Sequence, residues 1–214
     1  MRIGIFGGSF NPIHLGHLRA AEEDGEAMKL DLVYFVPAAS PPHKPKGGLI
    51  PAEHRLAMVR LATKGNRRFM VSDVEVRRTG VSYTIDTVRH FLSTMRGQAD
   101  LNLIMGADQF AELDSWKDCN ELMRLCGLVV HTRLQEGESG PPRISLAALQ
   151  RFGYSKSDDH YVHSSGHTLS FVATTFFPIS ATAIRAKIKA HESVRYLLPN
   201  EVIDYIERHT LFFD

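Results

Sequence analysis

An alternation constrains this chain more than any other feature. Short apolar runs rich in β-branched and aromatic residues recur along it, and between them hydrophobic residues return at helical spacing. The runs fall at residues 2–6, 32–36, 69–72, 101–105, 127–131 and 168–173. Between the third and fourth, Ile85, Val88, Leu92 and Met95 make a helical stripe that Ser82 or Thr84 can cap. Leu56, Val59 and Ala62 make another after Pro51, and residues 199–207 read as a closing helix with Pro199 near its first turn. Strands alternating with helices in this way build βαβ units and a parallel sheet. A run as nearly uniform as 101–105 asks for cover on both faces. The expected fold is therefore α/β: a doubly wound, Rossmann-like parallel sheet with helices on both sides. Such sheets bind ligands outside the carboxyl ends of their strands.

With 214 residues the chain can bury a sizeable core, and one domain over 1–214 is expected. Residues 134–167, rich in Gly, Ser, Pro and His, fit neither period well. They read as a variable excursion with a short helix at 144–152 rather than a separate domain. The longest apolar runs are too short to span a bilayer, and the opening residues form a strand rather than a signal peptide. The expectation is a cytoplasmic protein with no membrane partner. A formal charge of +1 without a long basic block argues against a nucleic-acid partner. The two cysteines, Cys119 and Cys126, read as inert packing residues.

The first strand runs into Gly7-Gly8-Ser9-Phe10-Asn11-Pro12-Ile13-His14-Leu15-Gly16-His17. Glycines after a strand let the backbone approach a ligand, and the helix that follows offers free N–H groups to an anion. Neither the dinucleotide fingerprint nor the Walker lysine pattern is present. Instead two histidines three apart on the first helical turn can face one bound group, and an imidazole can donate to a phosphate without acting as a nucleophile. Capping or core histidines are the plainer alternative. Near the other end, Ser180 is a natural N-cap, with Thr182 and Arg185 in the first turns of its helix. A helix N-terminus, hydroxyls and a guanidinium together make a polyphosphate site.

These two motifs resemble the paired signatures of the nucleotidyltransferase superfamily that carries the H-x-G-H motif. Within it the chain is similar to nicotinate-nucleotide adenylyltransferases. Pro41-Pro42-His43-Lys44, Ser82-Tyr83-Thr84-Ile85-Asp86-Thr87, Gly106-Ala107-Asp108 and the following Trp116 carry that narrower resemblance. It covers most of 1–131 and 168–214.

The resemblance implies ATP and nicotinate mononucleotide as substrates, with Mg²⁺ accompanying ATP and no dedicated protein metal site. The loop Gly7-Gly8-Ser9-Phe10 would face ATP, together with His14, His17, Ser180, Thr182 and Arg185. Of these, His14, His17 and Arg185, with Lys44, would serve the transfer itself, and Lys44 would reach the phosphates. Asp108 would bind a ribose hydroxyl and Trp116 would stack on the pyridine ring. Backbone N–H groups near Thr84, Ile85 and Lys117 would receive the nicotinate carboxylate. Relatives usually carry Arg-Pro-Gly after the fifth strand, whereas this chain reads His131-Thr132-Arg133-Leu134; Arg133 keeps the arginine but not the turn. His160, His163 and His167 have metal-like spacing, but the segment reads as a solvated loop. The oligomeric state is left open, a homodimer included. Rival functions are a sister adenylyltransferase for nicotinamide mononucleotide or phosphopantetheine, and an ATP-binding sensor without catalysis. A Rossmann dehydrogenase lacks its glycine fingerprint.

Overall fold

The computed structural model describes residues 1–42, 48–133, 146–175 and 177–213, with backbone alone at 133 and 146–148. Lys44, the side chain of Arg133 and residues 134–145 therefore lie outside the described residues.

Five elements of the expected sheet come first in the chain: β1 (Arg2–Gly8), β2 (Leu32–Pro37), β3 (Phe69–Val71), β4 (Asp100–Gly106) and β5 (Gly127–Arg133). With β8 (Thr168–Thr174) they pair in parallel, in the order β3-β2-β1-β4-β5-β8. Strand direction of growth thus reverses between β1 and β4, which opens a crevice at their carboxyl ends.

Helices cover both faces, as the apolar runs require. Phe6, Ile104 and Val129 point to one face, and Val59 of α2 (Ala52–Thr63), Ala21 of α1 (Leu15–Ala27), Ile184 of α8 (Ala181–Lys189) and Val202 of α9 (Asn200–Arg208) pack there. Ile5, Leu103 and Val130 point to the other, against Val88 of α4 (Thr84–Thr94) and Leu122 of α6 (Cys119–Leu125). The short helices α3 (Val74–Arg77) and α5 (Ala107–Ala111) link strands to the layer on that second side. Cys126 packs in that core, where burial pushes its thiol up to about 12 and leaves it inert.

The excursion corrects one expectation. The short helix is there, as α7 (Leu146–Arg151), but 154–163 is not loop. It forms a hairpin, β6 (Tyr154–Ser157) and β7 (His160–His163), that adds antiparallel to β8 and makes the sheet eight-stranded and mixed. These strands are polar on their open side, so their sequence shows no apolar run. Tyr154 and His163, an opposed pair whose rings meet edge-on at 5.1 Å, supply the buried side. The two-residue turn uses Asp158 in the left-handed region, φ 44°, where a glycine or asparagine would have signalled it. His160 and His163 thus sit on a strand, and their bonds go to Asp159 and Ser165. Among the described residues no three His, Cys, Asp or Glu are placed to hold a metal, and no helix is long and apolar enough to cross a membrane.

Candidate active site

The loop after β1 turns directly into α1. His14 is the N-cap of that helix and is buried; its backbone N–H donates to His17 Nδ1 at 3.2 Å. That bond fixes a tautomer. With Nδ1 accepting, the neutral ring of His17 carries its proton on Nε2 and presents a donor there. The two imidazoles stack at 3.6 Å, and Phe6 and Phe10 support His17 edge-on at 6.3 and 5.2 Å. Gly16 keeps this stack possible, since a Cβ there would stand 3.1 Å from His14 Nδ1. The ring of Phe10 lies in the core under Gly8, so that residue meets the crevice with its backbone alone.

The start of α8 closes onto the same loop. Ser180 caps the helix by accepting from Ala183 N–H at 3.1 Å. Arg185 donates to the backbone oxygen of Asn11 at 2.8 Å and to Thr182 Oγ1 at 3.2 Å. One guanidinium therefore ties the two ends of the chain together, 174 residues apart in sequence. The sequence motifs of the first and last thirds are brought together.

Across the loop lies a cleft of about 340 Å³, lined by Gly7, Gly8, Ser9, Thr84, Trp116 and Lys117 among others. Trp116 is half-buried, one side packed on the second core cluster. Thr84 and Ile85 open α4, so their N–H groups have no intrahelical acceptor. The side chain of Ile85 is itself core. Lys117, which lines the cleft, turns its ammonium over the Tyr83 ring at 4.5 Å and towards Asp86 at 3.7 Å. Asp108 is exposed in the first turn of α5, beside the carboxyl end of β4.

Three buried polar residues hold this cleft open. Arg55 of α2, only 1% exposed, donates to the carbonyls of Ser9, Ala38, Ala39 and Ile50 at 2.6–3.1 Å. Its guanidinium thereby fixes the loops after β1 and β2, one on each wall. Ser82 Oγ accepts from the N–H groups of Ala39 and Ser40 at 3.0 and 3.1 Å. Glu75 lines the cleft floor and accepts from Thr87 Oγ1. Burial raises the pKa of its carboxyl, and hydrogen bonds from Thr87 and Ser82 offset part of that rise.

A protein-family model described as cytidylyltransferase-like matches residues 5–187. The probable nicotinate-nucleotide adenylyltransferase of Geobacter metallireducens is 41% identical over 99% of this chain and 98% of its own length. That of Syntrophotalea carbinolica is 42% identical over 99% and 97%. The chain belongs to the nicotinate-nucleotide adenylyltransferase family. Like its relatives it is an enzyme, a nucleotidyltransferase. The Plasmodium falciparum nicotinic acid mononucleotide adenylyltransferase complexed with NaAD superposes with a TM-score of 0.74 over 100% of this chain and 98% of that one. At 16% identity that likeness concerns the fold.

Arg55, Glu75 and a pair described below, Asp24 with His131, went unread in the sequence. For Asp24 and Arg55 one signal was present: a charge inside an apolar stripe. Asp24 follows Ala20 and Ala21 on the buried face of α1, and Arg55 precedes Met58 and Val59 on that of α2. A buried charge without a visible reason marks a site or a clamp.

Proposed function

We propose that this site transfers the adenylyl group of ATP to nicotinate mononucleotide, releasing pyrophosphate and giving nicotinate adenine dinucleotide. The observation that carries this reading is a shared wall. Gly7, Gly8 and Ser9 line the acceptor cleft, and the same loop leads straight to His14 and His17. A phosphate held from each side would meet at the glycines. A phosphate oxygen of the mononucleotide attacks the α-phosphorus in line, and the bond to the bridging oxygen of pyrophosphate breaks. No covalent enzyme intermediate is needed; positioning and charge stabilisation supply the acceleration.

In this reading His17 donates from Nε2 to the α-phosphate, and His14 backs it. Ser180, Thr182, Arg185 and the N-terminus of α8 hold the β- and γ-phosphates. Lys44 reaches the same phosphates. Trp116 stacks on the pyridine ring, and N–H groups at Thr84, Ile85 and Lys117 receive its carboxylate. Asp108 accepts from a ribose hydroxyl, and Arg133 takes the substrate-binding role of the arginine that relatives carry after the fifth strand.

Enzymes of this kind use a divalent cation with ATP. Histidines, hydroxyls and an arginine are donors suited to phosphate oxygens, so Mg²⁺ enters as part of the MgATP substrate, held mainly by those oxygens. Cytoplasmic residence and a single domain over 1–214 complete the reading. Pyrophosphate release decides it: turnover is expected with nicotinate mononucleotide, ATP and Mg²⁺. Turnover only with nicotinamide mononucleotide or phosphopantetheine would assign a sister enzyme, and none with any acceptor would leave an ATP-binding sensor.

A further inference from the structure

Asp24 is a carboxylate with no exposed surface, on the buried stripe of α1. One of its oxygens bonds His131 Nδ1 at 3.0 Å; the other, Oδ1, has no hydrogen-bond partner among the described residues. Such a group is costly where an apolar residue would pack. Burial raises its pKa, and the bond to His131 works the other way. The site does not yet account for it.

What Asp24 achieves is the aim of a ring. His131 stands on β5 opposite Gly106, at the carboxyl edge of the sheet and on the same side as Phe6, whose ring meets it edge-on at 5.8 Å. The imidazole keeps 5% of its surface open. Its Nδ1 is tied to a fully buried partner, so the opposite edge, Nε2, is turned away from Asp24. Gly106 shows where it points. A Cβ built there would stand 3.4 Å from His131 Nε2 and against Asp108 Oδ1. Glycine lets a carboxylate oxygen of Asp108 and the imidazole nitrogen of His131 converge on one point at the carboxyl end of β4.

We infer that His131, aimed by Asp24, is a second ligand for the ribose of ATP, its Nε2 bonding one hydroxyl of the vicinal diol beside Asp108. This rests on the adenylyl-transfer reading above. A hydroxyl is donor and acceptor at once, so it suits either tautomer of the ring. Asp24 is a positioning residue, acting only through His131.

The test compares triphosphates on one preparation, so the active fraction cancels. Measure kcat/KM for ATP, 2′-deoxy-ATP and 3′-deoxy-ATP at saturating nicotinate mononucleotide and Mg²⁺, in wild type, His131→Phe and Asp24→Asn. Phenylalanine keeps the contact with Phe6 and removes the nitrogen. With ATP, His131→Phe should lose about tenfold, the worth of one hydrogen bond, mostly in the KM for ATP. With one of the two deoxy analogues that loss should fall below about twofold. Asp24→Asn should erode the same discrimination in part, and add nothing in the His131→Phe background. An equal loss with all three triphosphates would overturn the proposal and leave the pair a packing device. Wild type inactive with ATP and nicotinate mononucleotide would instead sink the underlying reading.

Discussion

The two halves of the site are built in opposite ways. The half proposed to hold phosphate is local: His14 and His17 stand at the start of one helix, and Ser180, Thr182 and Arg185 at the start of another. Each turn orients its own side chains through caps, and a long-range bond from Arg185 to Asn11 joins the two. The acceptor half is tertiary. Its cleft takes residues from β1, β2, α3, α4, β4 and the turn at Trp116, and its walls are set by Arg55 and Ser82, which hold backbone. A phosphate is nearly the same object in every nucleotide, so a stock helix end suffices. A pyridine carboxylate needs donors at fixed points, and fixed points come from a buried network. Damage to the first half should therefore appear in chemistry with the fold intact, and damage to the second in acceptor binding and stability together.

The largest effect is expected at His17. If its Nε2 donor stabilises charge at the α-phosphate, His17→Ala should lower kcat by about 10²–10³, the range for one preorganised donor. Thermal midpoint should move little, since Leu15 and Leu18 still pack α1 on the core. Unchanged kcat in steady-state pyrophosphate release would confine His17 to capping. Arg55→Met makes the opposite wager. It keeps length and removes donors to four carbonyls, which should cost about 3 kcal/mol of stability. The KM for nicotinate mononucleotide should rise about tenfold, and that for ATP much less. A denaturation midpoint equal to wild type would break the contrast between the halves.

This contrast also governs what could be read from the sequence. Strands β1, β2, β4 and β5 were legible because a strand covered on both faces is apolar along most of its length. The two helix starts proposed to hold phosphate were legible as patterns, because a helix cap and its first turn are contiguous in sequence wherever they occur. Trp116 and Thr84 were placed through resemblance alone; nothing in spacing brings residues 32 apart to one cleft. The roles of Arg55 and Glu75 were not legible, even though Arg55 stands in an apolar stripe, because their partners are backbone carbonyls and hydroxyls from other elements. The β6–β7 hairpin was missed because its turn lacks glycine and its strands have one dry side.

A smaller effect, and a sharper one for the acceptor half, is the choice between nicotinate and nicotinamide mononucleotides. Stacking on Trp116 cannot distinguish them, since they differ only in a carboxylate replaced by an amide. The N–H groups that open α4 are donors and carry the positive end of the helix dipole, so they favour two accepting oxygens over an NH₂. A preference of about 10–10² in kcat/KM for nicotinate is expected. Trp116→Ala should weaken both acceptors and leave their ratio nearly unchanged. A ratio that collapses in this variant would mean that the tryptophan orients the carboxylate.

The smallest effect tests whether the cleft floor carries a cost of its own. Burial raises the pKa of Glu75 above its ordinary value of 4.5, with Thr87 and Ser82 opposing through hydrogen bonds. A folded-state pKa above the unfolded one means that the folded protein binds the proton more tightly. The stability this contributes is complete below about pH 4.5 and is lost as pH rises through the folded-state value. Once ionised in the fold, Glu75 is a buried charge held by two hydroxyls. Glu75→Gln keeps an acceptor for Thr87 and cannot ionise. The difference in melting temperature between the variant and wild type should therefore shift in favour of glutamine from pH 4 to pH 7. In a chain of this length each kcal/mol corresponds to about 2–4 °C. Asp24, whose pKa burial also raises, titrates in both proteins and cancels from the difference. A difference independent of pH would show that Glu75 ionises in the fold as it does in the unfolded chain. A shift in the reverse direction would mean that the ionised form is the better bonded of the two. The carboxylate would then be a structural anchor for the α4 end of the cleft, with Thr87 and Ser82 as its paired donors.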